Sequence, residues 1–357
     1  MSNDLEISMA EMLAELEKNR DFMPSEFWKD ICKKNVQMIR TAGIENFKRT
    51  VSNNYFNWMI YSMKDPQFRN VVLTWLRSPR FSTFLFRFEG DRSVQTVIND
   101  RPVELDSSLA RRYGLFISML WEIGQKLDHG GFLKKISEPE IGNPLRISRD
   151  GKLISQDLVN SALELNQIMS LERSREGRPR IAEFGAGYGR LAYLFQATQQ
   201  GQYFIFDIPP ALCVSQWYLS KLFPEKRIFH FRPFSDWRDV AEEAAAADIG
   251  FFTSNQMALL PRGYFDVLTS ISTLPEMSMH QVRLFLDLFA HVTHQHIYLK
   301  QWSSWKNPLD GTDLSMNNYD FGANWQMRKC FQDPINPLFF NGVWTHIGTG
   351  GVSSEAP

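Results

Sequence analysis

The densest chemistry in this 357-residue sequence lies in one short run, Arg180–Leu194, which reads RIAEFGAGYGRLAYL. Apolar residues suited to a strand lead straight into Glu183-Phe-Gly185-Ala186-Gly187-Tyr-Gly189, and a helical pattern begins at once. Glycines let a backbone turn tightly and approach a ligand closely, while the first turn of a helix offers amides with no partner of their own. A second acid follows on the next strand. Asp207, in QYFIFDIPP, stands 18 positions after Gly189, close to the roughly 20-residue interval at which a carboxylate meets a ribose diol. Pro209 and Pro210 then open a helix, where a fixed φ and a missing N–H are tolerated.

The dinucleotide fingerprint G-x-G-x-x-G or A fails at Arg190, which disfavours a dehydrogenase. An acid two residues before the first of several alternate glycines instead resembles the loop that binds S-adenosylmethionine. That cofactor carries an ammonium and a sulfonium but no phosphate, so a carboxylate beside the loop suits it. The expected cofactor contacts are Glu183, Gly185, Ala186, Gly187, Gly189, Asp207 and the adjoining Ile208, with Gln156 ahead of the first strand and Ser270 near the end of a later one.

Methyl transfer is an in-line displacement, helped by a base within reach of the acceptor. In an open α/β sheet ligands lie beyond the carboxyl ends of the strands. Glu276 and His280 follow the strand Phe265–Ile271 and are the catalytic candidates. Ser278-Met-His280-Gln281 has the form of a capping box, and a helix N-terminus keeps an imidazole neutral. Asn255, Lys300, Trp302, Asp313 and Asn317 are the substrate-binding candidates, the last two in a polar loop with Asp310, Asn318, Tyr319 and Asp320. His291, His294 and His296 precede a strand at its amino end, away from the expected site, so no metal site is read into them.

The elements that hold these groups divide the chain at about residue 150. From Leu5 to Gly130 the apolar spacing is helical, with helices expected at Glu45–Ser62, Gln67–Leu76 and Ser107–Asp128 and no strand before residue 95. Aromatic residues including Trp28, Tyr55, Phe56 and Trp58 are dense here and read as packing between helices. Glu138–Gly151 reads as a linker. After the helix Gln156–Leu171, β-rich runs alternate with helices: Arg180–Phe184, Tyr203–Asp207, Arg227–Phe231, Gly250–Thr253, Phe265–Ile271 and His296–Trp302. That alternation specifies a doubly wound, Rossmann-like parallel sheet. Asn324–Asp333 and Phe339–Gly348 form a terminal antiparallel hairpin, followed by a small polar tail. The expected organisation is a mainly helical part, 1–150, serving as substrate cap or oligomerisation surface, before a cofactor-binding α/β domain, 151–357.

Bulk composition narrows the class. Hydrophobic residues make up 43% and charged residues 22%, ordinary for a globular protein. The net charge of -1, with no basic run, argues against a nucleic-acid partner. Three scattered cysteines suggest neither a disulfide framework nor a thiolate zinc site. The N-terminus lacks the pattern of a secretion signal, and no apolar run reaches the length of a membrane span, so a cytoplasmic protein is expected.

Longer stretches carry a family resemblance. SEFWKDICKKNVQMIRTAGIENFKRTVSNNYFNW, IGNP at 141–144, LISQDLVNSALE at 153–164, EFGAGYGRLAY, DIPPALCVSQWYLSKLFPEK and YLKQW at 298–302 resemble the sugar O-methyltransferases of bacteria, over about Ser25 to Trp344. The resemblance implies a class I methyltransferase fold, S-adenosylmethionine as cofactor with S-adenosylhomocysteine as product, and a sugar or glycosylated metabolite as acceptor. Asp207-Ile-Pro209 is also similar to the Asp-Leu-Pro of plant-type O-methyltransferases. Those enzymes place a catalytic His after the fourth strand, where this chain has Thr273-Leu-Pro275-Glu276-Met277. A non-sugar acceptor (polyketide, peptide or aromatic alcohol) and a non-catalytic cofactor-binding protein remain the alternatives, and the N-terminal helices offer a surface for a homo-oligomer.

Overall fold

The computed structural model describes residues 3–51, 62–89, 96–98, 101–103, 106–171, 178–199, 201–307 and 311–349. Tyr55, Phe56, Trp58, Asp310 and the tail beyond Thr349 lie outside them, as does most of the helix expected at Glu45–Ser62, of which Phe47–Thr50 is described.

Eight strands form the main sheet: β1 (Arg180–Phe184), β2 (Gln202–Asp207), β3 (Ile228–Phe229), β4 (Ile249–Thr253), β5 (Phe265–Ile271), β6 (Thr293–Trp302), β7 (Trp325–Gln332) and β8 (Phe339–His346). Their order is β7-β8-β6-β5-β1-β2-β4-β3. The pairings from β3 to β6 are all parallel, and β8 runs antiparallel between β6 and β7. This is the doubly wound, Rossmann-like α/β fold with its terminal hairpin. Every residue of β2 and β4 is buried, as expected of strands covered on both faces. The chain passes from β1 to β2 on one side of β1 and later crosses to β5 on the other. The carboxyl ends of these strands therefore flank the topological switch point, where such sheets bind ligands.

Among the described residues the longer helices are α1 (Asn3–Glu17), α2 (Glu26–Ala42), α3 (Pro66–Leu76), α4 (Ser107–Leu127), α5 (Gln156–Leu171), α6 (Arg190–Thr198), α7 (Ala211–Leu222) and α8 (Met279–Val292). Their starts follow local chemistry. Asp65 accepts hydrogen bonds from the amides of Gln67 and Phe68 with Pro66 in the first turn, Asp106 caps α4, and Ser278 with Gln281 closes a capping box on α8. No helix among the described residues is long and apolar enough to cross a membrane.

One apolar cluster joins Leu5, Ile39, Phe116, Leu158, Leu191 and Val343; another joins Phe22, Phe184, Phe252, Phe285 and Leu299. Packing thus runs without a break across position 150.

The structure departs from the sequence reading in three places. A strand precedes residue 95: Arg87–Glu89 pairs with Arg146–Arg149, which pairs with Lys152–Ile154. The stretch read as a linker is therefore built into the fold, with Ile147 buried and Glu138 in a buried ion pair with Lys48. Three-residue strands are too short to show a period of two, and long-range pairing decides them. The polar loop after β6 contains a small hairpin, Ser304–Lys306 with Asp313–Ser315. Finally, β6 begins at Thr293 rather than His296, which keeps all three histidines at its amino end.

Candidate active site

A cleft of roughly 1360 Å³, its mouth included, opens at the carboxyl ends of β1, β2 and β5.

The glycine loop forms one wall. Gly185, Gly187 and Gly189 have φ of +76°, +60° and +84°, a region that glycine enters without strain. A Cβ on Gly185 would lie 2.2 Å from Thr273 Oγ1, so a side chain there would prevent the close approach of the loop to the end of β5. The Gly187 amide donates to Asp207 Oδ2 at 2.9 Å, and the Ile208 amide donates to Oδ1 at 2.7 Å. The loop is thus tied to the acid that ends β2. Burial pushes the Asp207 carboxyl up to about 7 in spite of these two amides. Beneath the loop, Glu183 accepts from the Tyr203 hydroxyl at 2.8 Å, and burial raises its carboxyl to about 7 against the pull of Arg190.

Helix α5 supplies a second wall. Gln156, Asn160 and Glu164 are spaced by four and share one face, with Asp157 beside them. Gln156 is buried, and its Oε1 has no hydrogen-bond partner among the described residues. Asp157 accepts from the Tyr188 hydroxyl at 2.6 Å, and burial raises its carboxyl to about 6. A chain of charges runs through Glu164, which accepts from Arg190 through both oxygens (2.5 and 3.2 Å) and from Lys300 at 3.1 Å; Lys300 reaches Asp333 at 2.9 Å.

The facing wall combines Thr273, Glu276, Met277, Gln281 and Phe285 with an N-terminal strap containing Phe22, Met23, Ser25 and Trp28. The strap is held from both sides: Ser25 Oγ donates to the Glu276 carbonyl at 2.7 Å, and Gln281 Nε2 donates to the Met23 carbonyl at 2.8 Å. Burial raises the Glu276 carboxyl to about 8, with a hydrogen bond from Trp28 opposing and the nearby Asp207 adding to the rise.

Of the residues singled out from the sequence, Gln156, Glu183, Gly185, Ala186, Gly187, Asp207, Ile208, Glu276 and Lys300 line this one cleft. Gly189 sits behind the loop as the left-handed cap of α6. Lys300 is committed to two carboxylates rather than free for an acceptor.

Others lie elsewhere. His280, in the first turn of α8, is exposed and faces Asp21 at 3.3 Å. Asn255 donates to the Glu15 carbonyl of α1 at 3.2 Å. Ser270 is buried within β5, where its carbonyl accepts from Gln301 at 3.0 Å. Trp302 packs against Trp305 and Phe339. Asp313 and Asn317 are exposed on the small hairpin and the turn after it, outside the cleft.

Asn160, Glu164, Thr273 and the strap belong to no motif in the sequence, where Arg190 shows only as a break in a fingerprint. The spacing of four along α5 was the available signal for the first two. Among the described residues no three His, Cys, Asp or Glu side chains gather as a metal site.

No family model and no curated protein matches this chain. Among solved structures it is similar to magnesium protoporphyrin IX methyltransferase from Synechocystis PCC 6803 with bound SAM, at 10% identity and a TM-score of 0.37, over 54% of this chain and 82% of that one. It is also similar to the bifunctional kinase-methyltransferase WbdD (15% identity, 53% and 39% covered, TM-score 0.35). A third is the pyocyanin biosynthetic protein PhzM (12% identity, 53% and 57% covered, TM-score 0.33). Likeness at these values carries no functional weight, and function is read from the cleft alone.

Proposed function

We propose that the chain is an S-adenosylmethionine-dependent O-methyltransferase acting on a hydroxyl of a sugar or glycosylated metabolite, with S-adenosylhomocysteine as product. The observation that carries this reading is the convergence on one cleft of the loop Gly185–Gly187, the buried acids Glu183 and Asp207, and Glu276 on the facing wall.

The residues fit the cofactor's chemistry. Asp207 ends β2 where a carboxylate can accept from two ribose hydroxyls. Glu183 and Asp157 are buried carboxyls that an ammonium would satisfy, and the orphaned Gln156 Oε1 accepts a further donor. When bound, the cofactor supplies a methyl group on a sulfonium. Glu276 takes the proton from the acceptor hydroxyl, and a carboxyl raised to about 8 suits that role because a base works best near the operating pH. The strap and α8 hold the acceptor in line and exclude water. Phe22, Trp28 and Phe285 line the cleft together with Gln67, Gln281 and Asn336, a mixture of aromatic and amide side chains suited to a hydroxyl-rich ring. On this reading residues 1–150 act as the cap of a catalytic domain, 151–357.

Transfer of labelled methyl from S-adenosylmethionine to a panel of sugars, glycosides and aromatic alcohols tests the reading. Label on a sugar hydroxyl supports it. Label on aromatic alcohols alone moves the acceptor class, and tight S-adenosylhomocysteine binding without turnover on any acceptor makes the chain a non-catalytic binder.

A further inference from the structure

The proposed function leaves the α-carboxylate of the cofactor without an assigned anchor, and Arg190 lines the cleft close to the acids assigned to the ammonium. It is the first residue of α6, directly after the glycine loop, and its half-buried side chain lines the cleft. A guanidinium has five N–H donors. Nη1 donates to Ser161 Oγ at 2.9 Å and to Glu164 Oε2 at 2.5 Å, and Nη2 donates to Glu164 Oε1 at 3.2 Å. Three donors are engaged, and among the described residues two have no partner.

The surrounding charge is uneven. Glu164 serves Arg190 and Lys300 together, and the other partner of Lys300 is Asp333. Asp157 and Glu183 act on Arg190 electrostatically from the same cleft, yet burial holds both carboxyls near neutrality, at about 6 and about 7. One fixed guanidinium therefore lines the cleft together with two acids that a cation would ionise. That pattern is complementary to an α-carboxylate beside an α-ammonium.

Resting on the methyltransferase reading, we infer that Arg190 is the specificity residue for the amino-acid end of the cofactor. Its spare N–H groups hold the α-carboxylate, while Asp157 and Glu183 take the ammonium. Glu164, and through it Lys300 and Asp333, fixes the guanidinium in place, as charge-assisted pairs with two contacts do.

Calorimetric titration with two ligands tests this: S-adenosylhomocysteine, which carries the amino-acid end, and 5′-methylthioadenosine, which lacks it. Arg190→Gln is expected to weaken S-adenosylhomocysteine about tenfold or more and to leave methylthioadenosine within about twofold. Arg190→Lys recovers part of the loss, and Asp207→Asn weakens both ligands. Unchanged S-adenosylhomocysteine affinity in Arg190→Gln would overturn the assignment. Equal loss of both ligands would also overturn it, by making Arg190 a structural residue. If the unaltered protein binds neither ligand, the methyltransferase reading itself falls.

Discussion

The Ser25 hydroxyl donates to the main-chain carbonyl of Glu276 at 2.7 Å, across 251 positions of sequence. This bond fixes the N-terminal strap to the corner of the cleft that carries the proposed base. Ser25→Ala is expected to cost about 0.5–1.5 kcal/mol of stability. It should raise the acceptor KM while leaving S-adenosylhomocysteine affinity unchanged, because on the proposed function the strap borders the acceptor side. Denaturant titration with steady-state kinetics measures both, and an unchanged acceptor KM would detach the strap from acceptor binding.

Glu276→Gln keeps the size of the side chain and removes the proposed base. The turnover number is expected to fall by about 10²–10⁴-fold with cofactor affinity retained. Activity of the unaltered enzyme should rise with pH as the Glu276 carboxyl, raised by burial to about 8, loses its proton. A pH–rate profile that keeps the same rising limb in the Gln variant assigns that limb to another group.

Four carboxyls of the cleft, Asp157, Glu183, Asp207 and Glu276, are raised to about 6, 7, 7 and 8. Each folded value lies above the unfolded one, about 4 for such groups. Their contribution to stability is therefore full below about pH 4 and is lost as pH rises through the folded values. The ligand-free protein should melt at lower temperature near pH 8 than near pH 5.5 on this account, and Glu183→Gln should flatten that slope. A cationic ligand restores ionisation, so binding near pH 7 should release protons. Calorimetry in buffers of different ionisation enthalpy reads that release, and proton uptake would contradict it.

Gly185→Ala combines a left-handed φ of +76° with a Cβ 2.2 Å from Thr273 Oγ1. The φ alone costs about 1–3 kcal/mol. Adding Thr273→Ala should recover part of the loss by removing the nearest atoms and leave the conformational part. Chemical denaturation of the single and double variants separates the two, and full recovery would show that the φ costs nothing here.

The sheet was legible because its strands are apolar runs punctuated by Gly, Pro and helical spacing. Arg180–Phe184 and Phe265–Ile271 coincide with β1 and β5. The glycine-loop wall of the cleft was legible for a related reason: a loop that needs φ above zero recruits glycine, so Gly185 and Gly187 mark themselves. The opposite wall was not. Asp313 and Asn317 come after a strand on the correct edge, but a three-residue hairpin carries them out of the cleft. The wall comes instead from Met23, Ser25 and Trp28, held by side-chain bonds to Glu276 and Gln281 that leave no periodic trace in sequence. His280 is exposed outside the cleft, since a capping box fixes where a helix starts, not which residue of its first turn faces inward.

The central claim is that Asp207 and the glycine loop hold S-adenosylmethionine. Calorimetric titration of the purified protein with S-adenosylhomocysteine, with NAD as comparator, tests it most directly when repeated on Asp207→Ala. The account predicts saturable binding of S-adenosylhomocysteine alone, weakened by the substitution. No binding, or a preference for NAD, would contradict it.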